Sequence, residues 1–189
     1  MLARARWFLL LLLPGLAFAH PDHEVTATFA RGLLHPITGL DHILAMLAVG
    51  VWAAYLGRTA AFALPVMFPM GMLAGAVLAM LGVALPALEA VIAVSVVALG
   101  ALIALRIKFN VAAAALLVAA FAVFHGYAHA SEAPGGIQVT YAIGFVAATF
   151  VLHVVGLLLG SQLQKRAPAT IPATGALISI AGAVLLCVG

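Results

Sequence analysis

Long apolar runs separated by short polar segments dominate this chain. Six such runs follow a polar stretch at residues 20–24. None of them alternates apolar and polar positions as barrel strands do, and a helix of about 20 apolar residues crosses the hydrocarbon core of a bilayer. The pattern predicts an all-α, polytopic membrane helix bundle. Its six transmembrane helices are expected at about 36–57, 60–82, 86–105, 109–128, 137–160 and 169–188.

Composition supports a membrane protein rather than a soluble domain. Of the 189 residues, 67% are hydrophobic and only 7% are charged, and the mean hydropathy is +1.29. The formal net charge of +3 raises the question of a nucleic-acid partner. The basic residues are scattered between the apolar runs and form no stripe, so we expect no nucleic acid to bind.

The first 19 residues have the pattern of a cleaved secretory signal peptide. Arg4 and Arg6 precede a short apolar stretch, and residues 17–19 form an A-x-A cleavage site. An uncleaved signal anchor is the alternative. The predicted organisation is a signal peptide at 1–19, an extracytoplasmic segment at 20–34 with a short interfacial helix from about residue 25, and a six-helix transmembrane domain at 35–189.

Basic residues in the connecting segments predict the topology. Cytoplasmic loops of membrane proteins carry an excess of lysine and arginine. With the mature N-terminus outside, the predicted inner loops contain Arg58, Arg106, Lys108, Lys165 and Arg166, whereas the outer segments carry only Arg31. We therefore expect a multi-pass membrane protein with both termini of the mature chain extracytoplasmic.

The first apolar run opens with an unusual group of polar residues. Asp41 and His42 lie within the run, and His35 stands just before it. Ionisable residues inside a membrane segment are costly and usually face a cavity or one another. Pro36 suits the first turn of a helix, and on one continuous helix His35 and His42 would be roughly 10.5 Å apart along the axis. That separation predicts two successive metal-binding positions rather than one cage.

A second polar group ends the fourth run. His125, His129 and Glu132 have the offsets i, i+4 and i+7 and so share one helix face. Two histidines one turn apart can bind one metal ion. In the predicted topology His125 lies at a depth similar to that of His42, so the two groups are expected to form one site.

Other polar residues leave alternatives open. His20 and His23 are candidate metal ligands at the mature N-terminus, or incidental residues of a solvated tail. Glu89 either completes the site or is solvated. His153 is an inner metal position, a proton acceptor, or a buried histidine bonded to a carbonyl.

Some features of the runs indicate packing rather than chemistry. Gly71 and Gly75, and Gly156 and Gly160, form two G-x-x-x-G patterns for close helix contact. The single cysteine, Cys187, is expected to be a small packing residue.

Two motifs resemble those of a known family. Residues 35–42, HPITGLDH, resemble the HPxxGxDH motif of the HupE/UreJ hydrogenase and urease accessory membrane proteins. Residues 124–132, FHGYAHASE, resemble that family's second motif, FHGxAHGxE, with Ala130 where the pattern often has glycine. The signal peptide, the histidine-containing mature N-terminus and the six runs are also similar to the family.

The resemblance implies a secondary permease, not an enzyme, that brings nickel or cobalt into the cytoplasm for metalloenzyme assembly. The metal residues that it implies are His35, Asp41, His42, His125, His129 and Glu132. No permanently bound cofactor is expected. The expected partners are a divalent transition-metal ion, as cargo, and the lipid bilayer. The sequence does not decide whether the chain forms a homo-oligomer. The alternatives are a copper or zinc transporter of the same architecture, a haem-binding membrane redox protein with His42 and His125 as a pair, and an intramembrane metalloenzyme.

Overall fold

The computed structural model of the chain describes residues 29–132 and 139–188. The predicted signal peptide, and the candidate ligands His20 and His23, lie outside these residues. The described residues are almost entirely helical. In chain order the helices are α1 (Phe29–Thr38), α2 (Leu40–Leu56), α3 (Arg58–Met80), α4 (Leu88–Ala104), α5 (Val111–Glu132), α6 (Val139–Arg166) and α7 (Ile171–Val188), with a short 3-10 turn at Pro168–Thr170 before α7.

Four of the six predicted membrane spans correspond to helices of spanning length; the first corresponds to a bent pair of helices and the third to a shorter helix. Within the described ranges, the helices long and apolar enough to cross a membrane are Arg58–Met80, Val111–Glu132, Val139–Arg166 and Pro168–Val188, and the bent pair α1 and α2 gives a fifth if it counts as one span. The apolar helix α4 has 17 residues, which is about 25 Å at 1.5 Å per residue. The chain is thus all-α with four or five candidate spans, and the sixth span stays a prediction.

The first predicted span is not one continuous helix, so that expectation is wrong. The chain breaks at Gly39 and turns by 85° between α1 and α2. Gly39 has an extended backbone, with φ −98° and ψ 119°. Pro36 does not begin a helix as expected but lies inside α1 near its end. The short helix expected at about 25–34 therefore extends to Thr38, past the predicted start of the transmembrane domain.

Contacts with α6 determine where α1 lies. A side chain at Gly32 would meet the carbonyl oxygen of Tyr141, and one at Gly144 would meet the carbonyl oxygen of Phe29. The two helices therefore approach backbone to backbone through paired glycines. This docking holds α1 against α6 instead of in line with α2.

The remaining helices pack mainly in pairs, α3 with α5, α2 with α6 and α4 with α7. Both predicted G-x-x-x-G patterns lie at such contacts. Gly71 and Gly75 face the backbone of α5, and Gly156 and Gly160 face that of α2. Their predicted packing role is confirmed.

The loops expected on the inner side meet at one end of the bundle. The hydroxyl of Tyr55, at the end of α2, donates to the carbonyl oxygen of Arg106 at 2.9 Å, and the Arg106 guanidinium donates to the carbonyl oxygen of Pro168. Asn110 caps the start of α5 at this end, where its Oδ1 accepts the Ala113 N–H at 2.8 Å. The polar residues singled out from the sequence lie toward the opposite end.

Candidate metal centre

Three helix ends bring the predicted ligands together. His35 lies in the last turn of α1, Asp41 in the first turn of α2, and His129 in the last turn of α5. The break at Gly39 folds the end of α1 over the start of α2. We call the resulting group the polar cluster; its members are His35, Asp41, His42, His125, His129 and Glu132.

The four imidazoles of the polar cluster form a continuous chain of contacts. The ring centroids of His42 and His129 are 4.2 Å apart, those of His42 and His125 are 4.8 Å apart, and those of His35 and His129 are 4.6 Å apart. The predicted axial separation of His35 from His42 is wrong because it assumed an unbroken helix. Both residues instead touch the ring of His129.

Asp41 fixes the orientation of the His42 ring. Asp41 Oδ1 accepts the backbone N–H of His42 at 2.8 Å and lies 2.8 Å from His42 Nδ1. An ionised carboxylate only accepts hydrogen bonds, so Nδ1 carries the proton and Nε2 keeps its lone pair. His42 Nε2 is buried and has no hydrogen-bond partner among the described residues. A carboxylate bonded to the far nitrogen of a ligating histidine is a common arrangement at metal sites.

Ser95, on α4, determines in the same way which ring nitrogen of His125 carries the proton. The Ser95 hydroxyl donates its one hydrogen to the carbonyl oxygen of Ile92 at 2.6 Å. Ser95 Oγ also lies 2.9 Å from His125 Nε2 and must accept there, so Nε2 of His125 carries the proton. His125 Nδ1 then keeps its lone pair, and it too is buried without a partner in the described structure. Two touching imidazoles each retain a free metal-binding nitrogen.

A second set of donors lies nearer the surface. One ligand atom from each of His35, His129 and Glu132 lies within 4.8 Å of the others. Ligands on one ion with bonds of about 2 Å are at most about 4 Å apart, so a small side-chain rotation lets all three coordinate. Glu132 is 55% exposed and His35 30% exposed, whereas His129 is only 3% exposed. His129 thus belongs to the outer set and also touches His42.

A cavity opens onto this centre. It has a volume of about 220 Å³, and its lining includes Glu89 of α4 as well as His35, Asp41, His42, His129 and Glu132. A larger cavity of about 610 Å³ lies between the start of α4 and the end of α7, and it shares Asp41 and Glu89 with the first. The structure therefore places Glu89, left open by the sequence, in the wall of the site.

Comparison with known proteins identifies the family of this chain. The family model described as "HupE / UreJ protein" matches residues 8–185. The chain belongs to the HupE/UreJ family. Protein HupE of Rhizobium leguminosarum bv. viciae is 43% identical over 178 residues, which cover 93% of each chain. No solved structure matches the chain. Together with the apolar helices, the family identifies a multi-pass membrane protein, and both motifs that suggested the HupE/UreJ family lie in the polar cluster.

Sequence reasoning missed Ser95. It is a single hydroxyl in the apolar helix α4, and such residues commonly bond to their own helix. No spacing within α4 connects Ser95 with its partner, because His125 lies on a different helix.

His153 lies deeper than the polar cluster. Its ring is fully buried, and neither ring nitrogen has a hydrogen-bond partner among the described residues. The alternative of a histidine bonded to a nearby carbonyl therefore does not describe it.

Proposed function

We propose that this HupE/UreJ protein is a secondary permease that moves Ni²⁺, and also Co²⁺, across the bacterial inner membrane into the cytoplasm for metalloenzyme assembly. The observation that carries the proposal is the position of His129, whose ring touches both His35 and His42. An ion held by the outer donors can reach the buried imidazoles through one shared ligand.

The chemistry of the donors suits these ions. Imidazole nitrogens and carboxylate oxygens bind Ni²⁺ and Co²⁺, while thiolates would favour softer metals. The single cysteine of the chain, Cys187, is near the end of α7 and exposed. Transport requires release as well as binding, so partial ligand sets in sequence serve better than one closed cage.

We assign the residues in order from the mature N-terminus inward. His20 and His23, outside the described residues, gather the ion at the mature N-terminus. His35, Glu132 and His129 receive it, with Asp41 and Glu89 lining the approach. His42 and His125 then bind it through the nitrogens that Asp41 and Ser95 leave free.

The membrane potential is sufficient to drive the ion inward. One elementary charge gains about 2.3 kcal/mol per 100 mV, so a divalent cation gains about 4.6 kcal/mol per 100 mV. Inward movement fits the proposed topology, in which the polar cluster faces the extracytoplasmic side.

The contacts argue against a haem site at His42 and His125. Two axial ligands must leave room for the porphyrin between them, but these rings touch edge to face at 4.8 Å between centroids. A copper or zinc transporter of the same architecture would use the same ligands. Competition between metals in the uptake assay distinguishes it from a nickel or cobalt permease.

The test is uptake of labelled nickel into proteoliposomes that contain the purified wild-type protein or its His42→Gln variant. We expect saturable uptake by the wild type and loss of uptake in the variant, with cobalt competing more effectively than zinc or copper. Wild-type uptake no faster than that of empty liposomes would overturn the permease, and stronger competition by zinc or copper would reassign its metal. Circular dichroism and size-exclusion elution establish that the variant is folded.

A further inference from the structure

His153 is a buried imidazole without a bonding partner. It lies in α6, about 21 Å along the helix from Val139, and is 0% exposed. Neither Nδ1 nor Nε2 is hydrogen-bonded within the described structure. Leaving a polar group buried and unpaired is costly, so the residue calls for an explanation beyond packing.

One aromatic ring connects His153 with the polar cluster. The Phe68 ring of α3 lies 5.0 Å from the His153 ring and 5.5 Å from the His125 ring, between centroids. His153 is therefore a single side chain away from His125. Gly156 lies against Leu47 of α2, so His153, three residues earlier, is about level with Leu44 and further from the outer end of α2 than His42.

Other oxygen donors accompany His153. Thr149 precedes it by one turn on α6 and is also 0% exposed, and its hydroxyl has no partner among the described residues. On α3, Pro69 has no N–H, so the carbonyl oxygen of Pro65 lacks its helical donor. Pro65 and Phe68 are three residues apart and share a helix face. His153 is thus the nitrogen donor that contacts Phe68, and the Thr149 hydroxyl lies one turn outward of it on the same face of α6.

We propose that His153, with Thr149 one turn outward on the same helix face, forms a second binding position for the transported ion, which follows the polar cluster. This inference rests on the proposed permease function and adds the step that follows the polar cluster. With one imidazole and one hydroxyl, the inner position has fewer and weaker donors than the polar cluster. It holds the ion briefly and releases it toward the cytoplasm, as conduction through serial sites requires.

The direct test places a thiolate at the proposed position and uses Co²⁺ as the probe. The full chain is purified as Cys187→Ser with His153→Cys, so that residue 153 is its one cysteine. A Co²⁺ ion that reaches this position gives a sulfur-to-cobalt charge-transfer band in the near ultraviolet. The matched control is Ser179→Cys in the same Cys187→Ser background, because Ser179 is half-buried between α4 and α7.

We expect the band in the His153→Cys protein and not in the Ser179→Cys protein. If His153→Cys does not elute as a folded protein, Thr149→Cys, one turn away, takes its place with the same expectation. A folded variant that binds Co²⁺ at the polar cluster, seen in its visible d–d bands, but shows no charge-transfer band would overturn the proposal.

Transport provides the second measurement. We expect His153→Leu to lower nickel uptake at least about tenfold while the Co²⁺ affinity of the polar cluster stays at the wild-type value. Full uptake by this variant would overturn the inner position and leave the permease intact. Absence of uptake by the wild type would instead count against the proposed function itself.

Discussion

Asp41 Oδ1 lies 2.8 Å from Nδ1 of His42 and accepts the backbone N–H of the same residue at 2.8 Å. One carboxylate oxygen therefore holds both the start of α2 and the orientation of a candidate ligand. The free nitrogen of His42 depends on this contact.

Asp41→Asn tests the charge of that contact. The asparagine Oδ1 can still accept from His42 Nδ1, but it no longer makes the imidazole more basic. We expect metal affinity to fall about 10- to 100-fold, and Asp41→Leu, which also removes the acceptor, to bind more weakly still. Isothermal titration with Ni²⁺ measures both; equal affinities for Asp41→Asn and the wild type would contradict the role assigned to the charge.

Gly39→Ala tests whether the site needs the space that a glycine leaves beside the Asp41 and His42 side chains. An added Cβ would lie 2.8 Å from Asp41 Oδ1 and 2.9 Å from His42 Nδ1, both of them side-chain atoms that can move. Because the φ of −98° at residue 39 suits alanine, we expect a folded protein whose metal affinity is at least about tenfold lower. Gly82→Ala is the control for a loss of stability alone: its added Cβ meets nothing within 4 Å, but the φ of +72° strains an alanine there, so stability should fall while metal affinity stays unchanged. An unchanged metal affinity in Gly39→Ala would show that binding does not depend on the present positions of the Asp41 and His42 side chains.

Ser95→Ala removes the acceptor for His125 Nε2. The buried N–H then loses its partner, which costs about 1–3 kcal/mol of stability, and the ring can turn or change tautomer. We expect a lower melting temperature together with weaker metal binding. Ser179→Ala loses a comparable hydroxyl bond, to the carbonyl oxygen of Val97 at 3.0 Å, and should affect stability without affecting affinity. Equal effects of the two variants on metal affinity would contradict the role assigned to Ser95 in the site.

Gly126→Ala tests the contact between α5 and α3. Its Cβ would lie 1.9 Å from the carbonyl oxygen of Met72, a backbone atom that cannot move without its helix. We expect a loss of about 1–3 kcal/mol in stability, measured by thermal unfolding in detergent. An unchanged melting temperature would mean that α3 and α5 separate more easily than their packing indicates.

Chemical labelling of Cys187 tests the proposed topology. It is exposed and lies near the end of α7, which we expect on the extracytoplasmic side. A membrane-impermeant maleimide should label it in spheroplasts. Thr170→Cys in a Cys187→Ser background, at the opposite end of α7, should react only after permeabilisation. The reverse pattern would invert the proposed orientation and with it the direction of transport.

The membrane helices could be predicted from the sequence because each apolar run is long and ends at glycine, proline or charged residues. The break at Gly39 could not. Pro36 is equally compatible with the start of a helix and with the last turns of one, so the local sequence leaves both open. The contact of Gly32 with Tyr141 on α6 decides between them, and such a contact between distant residues is not visible in a single sequence.

Much of the candidate site could be predicted for a different reason. His125, His129 and Glu132 share a face through helix periodicity alone, and ionisable residues in membrane runs tend to meet. The predicted axial separation of His35 from His42 was wrong because it was calculated for one unbroken helix. Ser95 was missed because a lone serine in an apolar helix carries no chemical signature of its partner.

The break between α1 and α2 also changes the electric field at the site. A helix carries partial negative charge at its carboxyl end, from unpaired carbonyl groups, equivalent to roughly half an elementary charge. A straight first span would have had its carboxyl end at the far side of the membrane. Because α1 ends at Thr38, its carboxyl end lies beside the polar cluster, where α5 also ends at Glu132. Two helix dipoles thus direct their negative ends toward the place where a cation would enter, and there they oppose the positive amino end of α2, which begins at Leu40.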